Sequence, residues 1–118
     1  MSEADRQRAL NRGLVESRTL AEALAVDFDE LLRTVAPEVE LRFGAGLGIT
    51  RRMSMAGTAL AGRQEELRRH RSDTVRGWAA FAIGATPGLS LAERLESVRT
   101  LAEDPHFGVR EWAWLALR

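Results

Sequence analysis

Carboxylates, tryptophans and arginines carry most of the chemistry available to this 118-residue chain. It has no cysteine, and its two histidines, His70 and His106, are too few for a histidine-rich metal cage. No nucleophile elbow is present, so the sequence does not support a serine hydrolase. We expect neither a metal nor a cofactor. The remaining residue types are poorly suited to nucleophilic or metal catalysis.

Glu111 directly precedes Trp112 and lies three residues before Trp114. Two residues apart on a helix, Trp112 and Trp114 point about 200° away from each other and cannot face the same core. Trp112 has a counterpart, Trp78, in an internal repeat described below, so we assign these two rings to the core. Trp114 is then the exposed or groove-lining ring, and Glu111 is the preferred catalytic candidate. The alternative for Glu111 is a surface acid paired with a neighbouring arginine.

All 17 basic residues are arginine, and 17 acids balance them to a net charge of zero. The charges are unevenly distributed along the chain. Residues 1–40 hold five arginines and nine acids, residues 41–76 hold eight and three, and residues 77–118 hold four and five. Codon usage in a GC-rich genome explains arginine in place of lysine, but it does not explain the basic middle segment. A planar guanidinium suits phosphate recognition because it donates two parallel hydrogen bonds.

The elements that must position these residues are helices. Alanine and leucine dominate, and no strict apolar–polar alternation extends beyond a few residues. We expect one all-α domain over residues 1–118 with about 6–9 helices, and a frayed polar segment over residues 1–14. The helices predicted in the first half run over residues 17–25, from Phe28 to Pro37 after a capping signal at Asp27, and over residues 38–43, 50–60 and 64–70.

Three alternating glycines, Gly44, Gly46 and Gly48, invite comparison with a phosphate-binding loop. No buried strand precedes them, and their spacing fits neither a Walker loop nor a dinucleotide fingerprint. The segment is therefore interpreted as a flexible connection between helices.

The second half of the chain contains an internal repeat at an offset of 34 residues. Residues 64–84 and 90–118 each form a helix pair, with a capping box from Ser90 to Glu93. Such pairs stack into a solenoid because one unit alone cannot bury its apolar face. The tetratricopeptide and ankyrin signatures are absent, whereas aspartate followed by Val-Arg is typical of HEAT repeats. The matching positions are Val75 and Val109, Arg76 and Arg110, Trp78 and Trp112, Ala79 and Ala113, and Ala82 and Ala116.

The segments over residues 72–79 and 104–114 resemble the DNA alkylation repair proteins, which are HEAT-like-repeat DNA glycosylases of the AlkC and AlkD type. A looser resemblance extends back to about Val15 and covers most of the chain. It corresponds to about the N-terminal half of the usual family domain. The resemblance implies a protein that cradles duplex DNA in a basic concave groove and excises N-alkylated bases.

The resemblance also implies roles for individual residues. Glu111 would be a catalytic carboxylate, and Trp114 would contribute its ring to the same site. Arg76 and Arg110 occupy repeat positions and are either structural or in contact with DNA, and both histidines are expected in capping or turn packing. The arginines expected to contact DNA phosphates are Arg51, Arg52, Arg68, Arg69 and Arg71.

The apolar pattern continues to Arg118 without a stop signal. We expect either a fragment of a longer solenoid or self-association through the uncapped last helix, and this chain alone is expected to be inactive. The alternative function is a non-catalytic repeat module that binds DNA or a protein partner. Without an apolar run of membrane-spanning length or a secretory signal, no membrane partner and a cytoplasmic location are expected.

Overall fold

The computed structural model describes every residue from Met1 to Arg118 and contains eight α-helices and no strand. The predicted all-α class is therefore confirmed, and the number of helices lies in the expected range. None of the helices combines the length and the apolar character needed to cross a membrane. The helices are α1 (Glu3–Asn11), α2 (Leu20–Ala25), α3 (Phe28–Val35), α4 (Ile49–Ala59), α5 (Gln64–Leu67), α6 (Asp73–Ala85), α7 (Leu91–Ala102) and α8 (Phe107–Leu115).

Helix α6 lies at the centre of the domain and packs against α4, α5, α7 and α8. Every residue from Asp73 to Ile83 is buried, which its sequence permits because glycine and alanine occupy much of its surface. Trp78 is completely buried, as predicted, and its ring centroid lies 5.8 Å from that of Phe28. Phe28 in turn meets the edge of Phe43 at 5.4 Å. This aromatic chain joins α3 to the central helix.

Glycines let three helices pack closely side by side. A Cβ added at Gly57 of α4 would lie 2.6 Å from the carbonyl carbon of Phe81 in α6. A Cβ added at Gly77 of α6 would lie 2.7 Å from the indole of Trp112 in α8, and one at Gly84 would lie 2.7 Å from the Ala116 carbonyl oxygen. These contacts advance in the same direction along all three helices, so α4, α6 and α8 run parallel.

Local capping signals located several helix ends correctly. The Asp27 side chain accepts a hydrogen bond from the Glu30 N–H at 3.1 Å, and Ser90 accepts one from the Glu93 N–H at 3.1 Å. Helix α3 ends at Val35, two residues before Pro37, as the proline predicted. These ends were predictable because the capping bonds join residues only three apart.

Residues 3–11 of the segment expected to be frayed form helix α1, which tertiary contacts connect to the rest of the domain. Leu10 is buried in the core, and the Arg6 guanidinium donates to both oxygens of Glu22, at 2.5 and 2.9 Å. The hydrogen bond from Arg6 is the main cause that lowers the pKa of Glu22 to about 2. Gln7 also donates to the Ala25 carbonyl oxygen at 3.0 Å. A polar helix thus becomes ordered through bonds to a distant segment.

The predicted helix over residues 38–43 does not form. The Phe43 N–H donates instead to the Asp29 carboxylate at 3.1 Å, while the Phe43 ring is buried against Phe28. Two other predicted boundaries were also shifted. Helix α4 begins at Ile49, one residue before the predicted start, and α5 ends at Leu67 rather than continuing to residue 70.

Candidate functional site

A cavity of about 510 Å³ opens where the first turns of α4, α6 and α8 meet. Helix α8 contributes Phe107, Glu111 and Trp112 to its wall. Phe107 and Glu111 share one face of the helix because they are four residues apart. Leu20 and Ala23 of α2 form the opposite side. The other lining residues are Ser17, Ile49, Thr50, Asp73, His106, Gly108 and Leu115. The cavity combines apolar walls with two carboxylates and is lined by no arginine.

Glu111 is exposed at this cavity and makes no hydrogen bond or ion pair within the chain. The expected alternative, pairing with a neighbouring arginine, is therefore not formed. Arg110 instead donates to the carbonyl oxygens of Asp104 and Pro105, at 2.8 and 3.0 Å. The Glu111 carboxylate is thus exposed in a cavity that Phe107 and Trp112 also line.

Trp114 does not join Glu111 in this cavity. Its side chain is 58% exposed, in agreement with the expected exposed or groove-lining position. It lines a different cavity, of about 490 Å³, together with Leu95, Val98 and Ala102 of α7. The two residues proposed for catalysis from the sequence thus belong to two sites. The ring that accompanies Glu111 is Trp112, which is half-buried and packs on Phe81 with centroids 6.1 Å apart.

Beneath the cavity, a buried polar cluster joins the α1–α2 connection to α6 and α8. The Asp73 carboxylate accepts from the Ser17 N–H at 2.9 Å and from the Ser17 hydroxyl at 2.5 Å. His106 accepts the Gly108 N–H at Nδ1 over 3.0 Å, so in the neutral ring the proton lies on Nε2. That Nε2 lies 2.7 Å from the Ser17 carbonyl oxygen and donates to it.

This cluster contains serine, histidine and aspartate but is not arranged as a catalytic triad. The serine hydroxyl donates to the aspartate, and neither histidine nitrogen is free to accept its proton. The hydrogen bonds of the cluster hold Ser17 against the N-terminal ends of α6 and α8. Nowhere in the chain do three histidine, aspartate or glutamate side chains come close enough together to hold a metal ion.

His70 closes a turn in the same way as His106. Its Nδ1 accepts the Ser72 N–H at 3.0 Å, just as His106 accepts the N–H two residues after it. Both histidines therefore pack in turns before helices, as predicted. Burial, and then the charges of Arg71 and Arg76, lower the pKa of His70 below its ordinary value. Protonation at Nδ1 would also remove the bond from Ser72.

The lowered pKa of His70 predicts a loss of stability in mild acid. Between the folded-state pKa and about 6.5, the unfolded chain binds a proton that the folded chain does not, so stability falls as the pH falls below about 6.5. Urea unfolding from about pH 8 to about pH 5.5 should show this decline. In His70→Asn, whose side-chain oxygen can accept the Ser72 N–H, the decline should be smaller. An identical decline in this variant would show that other groups cause it.

The five arginines expected to bind phosphate are in different environments. Arg51 and Arg69 are exposed and have no hydrogen bond or ion pair, and Arg71 makes only a 3.4 Å bond to the Leu14 carbonyl oxygen. The Arg52 guanidinium lies 4.8 Å above the Phe28 ring. Arg68 is mostly buried and donates to Thr100 and Ser97 of α7. Thus Arg51, Arg69 and Arg71 are the most available cations of the set.

The arginines at equivalent repeat positions have a structural role. Arg76 donates to the carbonyl oxygens six and five residues before it, both at 3.0 Å, and Arg110 does the same one repeat later. Arg76 also binds Asp104 at 2.9 Å and pairs with Glu16. Burial alone lowers the pKa of Arg76, but the two carboxylates raise it and the net shift is upward. The basic middle of the chain is therefore partly neutralised by the acidic first third.

Sequence reasoning missed Phe107 as a member of the site. The available signal was the spacing of Phe107, Glu111 and Leu115, which repeats every four residues and marks one face of α8. No spacing pattern in the sequence indicated the contact between Ser17 and Asp73, because 56 residues separate them. The chain matches no protein-family model, no curated protein and no solved structure.

Proposed function

We propose that this chain is a HEAT-like helical-repeat module that binds alkylated duplex DNA, as the DNA alkylation repair glycosylases do, with Glu111 as the catalytic carboxylate. The single observation that carries the proposal is the cavity in which Glu111 lies beside Phe107 and Trp112, next to the first turn of α4. Because Trp114 lines a separate cavity, the proposed base contact uses Phe107 and Trp112 instead.

Repeated contacts support the HEAT-like organisation. Arg76 and Arg110 bind the turns before their helices through the same pair of carbonyl oxygens, 34 residues apart. Helices α4, α6 and α8 run parallel and pack side by side, which is the arrangement expected of the second helices of stacked pairs. The sequence repeat thus coincides with a repeat of hydrogen bonds.

The cavity chemistry supports a cationic base as the ligand. An N-alkylated base carries positive charge, and the face of Trp112 or Phe107 attracts such a charge by roughly 0.5–2 kcal/mol. As the glycosidic bond breaks, positive charge develops on the sugar, and the Glu111 carboxylate can stabilise it. No arginine lines the cavity to compete for that carboxylate.

The surface next to the cavity supports contact with a phosphate backbone. Thr50 lines the cavity and also the neighbouring groove along α4, where Arg51 and the hydroxyls of Ser54 and Thr58 lie. Helix α4 begins at Ile49, its N-cap residue Gly48 provides no side-chain cap, and its first turn contains no acid. Hydroxyls, backbone N–H groups and arginines are the groups that usually bind DNA phosphates.

Duplex binding measured at several salt concentrations tests the DNA contact. We expect affinity to fall steeply with salt, and Arg51→Gln to reduce the slope of log affinity against log salt by about 1. Arg33→Gln, at an exposed arginine of α3 that also has no ion pair, is the matched control and should leave the slope unchanged. Absence of binding at low salt would refute the DNA-binding proposal and leave a protein partner as the alternative.

Release of alkylated base from methylated DNA, measured with a protein that carries this module among further HEAT-like repeats, tests the catalytic proposal. Glu111→Gln should reduce the release rate by about 100-fold while duplex affinity stays unchanged, because the carboxylate acts on the developing charge. Glu96→Gln, at an exposed glutamate of α7, is the control for a general loss of charge. Full activity of Glu111→Gln would remove this residue from the mechanism.

One observation favours the alternative of a non-catalytic DNA-binding module. No hydrogen bond or ion pair orients the Glu111 carboxylate, whereas catalytic carboxylates are usually held in position by neighbouring groups. Salt-dependent duplex binding without any base release would support this alternative.

A further inference from the structure

An exposed apolar surface on α7 and α8 lies outside the proposed DNA site. Trp114 and Leu95 are 58% and 45% exposed, and they flank the 490 Å³ cavity whose other apolar lining is Ala92, Val98 and Ala102. We call Leu95, Val98, Ala102 and Trp114 the α7–α8 face. An exposed indole beside an apolar recess is a candidate interaction site, because tryptophan is enriched in protein interfaces.

Another helix pair cannot stack on α8 in the way that α8 stacks on α6. Trp112 packs on Gly77, where a Cβ would come within 2.7 Å of the indole. The position equivalent to Gly77 in the next repeat is Glu111, so a tryptophan stacked there would meet a glutamate side chain. Likewise, Trp114 occupies the repeat position that corresponds to Ala80, which is fully buried. This surface therefore suits an occupant with a different packing geometry.

The charges around the α7–α8 face are complementary to one another. Glu96, Arg99 and Glu103 line the cavity, and Arg99 pairs with Glu96 at 2.9 Å. Glu103 has no ion pair within the chain. A guanidinium has five donors, so Arg99 can keep its pair with Glu96 and also bind the unpaired Glu103 of a second copy. A surface that carries both a projecting ring and a recess can likewise fit a copy of itself. The zero net charge of the chain adds no long-range repulsion between copies.

We propose that the α7–α8 face binds a second copy of this chain around a two-fold axis. In this dimer each Trp114 fills the recess of the other copy, and each Arg99 faces Glu103 of the second copy. The proposal goes beyond DNA binding and assigns Trp114 to the dimer contact. It does not depend on the fate of the DNA proposal, because it uses no residue of the Glu111 cavity.

Sedimentation of the full chain over a range of concentrations tests the proposal. We expect a monomer–dimer equilibrium, and Trp114→Ser should raise its dissociation constant about tenfold or more, since buried tryptophans dominate such contacts. Leu14→Ser, at a leucine between α1 and α2 that is 50% exposed, is the control and should not change the constant. A chain that stays monomeric at every concentration, or a dimer unaffected by Trp114→Ser, would overturn the proposal.

A charge exchange tests the two-fold arrangement separately. Arg99→Glu and Glu103→Arg should each weaken the dimer, because each places like charges opposite one another. The double variant, with both changes in one chain, restores opposite charges across the axis and should recover most of the wild-type affinity. Failure of the double variant to recover, with both single variants impaired and all three folded by circular dichroism, would contradict the Arg99–Glu103 contact.

Discussion

Arg76→Met is expected to lower the free energy of unfolding by about 3 kcal/mol or more. The Arg76 side chain is 10% exposed and Asp104 is 12% exposed, so removal of the cation leaves an anion in a poorly solvated place. The variant also loses the bonds to the His70 and Arg71 carbonyl oxygens and the pairing with Glu16. Urea unfolding followed by circular dichroism measures the loss.

The repeat supplies a matched control for this experiment. Arg110→Met removes the same pair of carbonyl contacts at an exposed position without breaking an ion pair, and it should cost about 1 kcal/mol or less. Adding Asp104→Asn to Arg76→Met should recover part of the loss, because the uncompensated charge is then removed. Equal losses for Arg76→Met and Arg110→Met would show that the ion pair contributes little.

Gly57→Ala is expected to destabilise the domain by about 2 kcal/mol, although alanine favours a helix by about 1 kcal/mol over glycine. The added Cβ would lie 2.6 Å from the carbonyl carbon of Phe81 and 2.8 Å from the Ala82 nitrogen. Both are backbone atoms, so the clash can be relieved only by moving α4 away from α6. Thermal unfolding should show a midpoint lower by roughly 10 °C.

A neighbouring position on α4 separates this packing effect from helix propensity. Thr58 is exposed and adjacent to Gly57, so Thr58→Ala gains helix propensity without a clash and should leave the midpoint unchanged or slightly higher. An increase in stability for Gly57→Ala would contradict the close approach of α4 and α6.

Some features of the fold were predictable because they depend on neighbouring residues. The capping bonds of Asp27 and Ser90 each span three residues. The burial of Trp78 followed from its place in the repeat, and the exposure of Trp114 followed from its angle around the helix. The turn bonds of the two histidines span only two residues. Each of these features can be derived from spacing alone.

Other features depend on residues that are far apart in the chain. The order of α1 rests on Arg6 and Glu22, which are 16 residues apart, and the loss of the helix over residues 38–43 rests on Asp29. Composition cannot reveal such partners, because the polar residues of α1 resemble those of a frayed segment. For the same reason, the sequence could not show that Glu111 and Trp114 line different cavities. Side chains of α2 complete the cavity of Glu111, and side chains of α7 complete that of Trp114.

The sequence by itself determined the all-helical class, the 34-residue repeat and the residue types available for chemistry. It did so because helix propensity, capping and apolar periodicity act over a few residues. Only the tertiary structure decided which arginines are available to a ligand. Arg76 and Arg51 are chemically identical, but Arg76 is enclosed by carboxylates from distant segments and by carbonyls of the preceding turn, whereas Arg51 faces solvent beside a groove. The free energy of a charge depends on burial and on its partners, and both are properties of the folded chain.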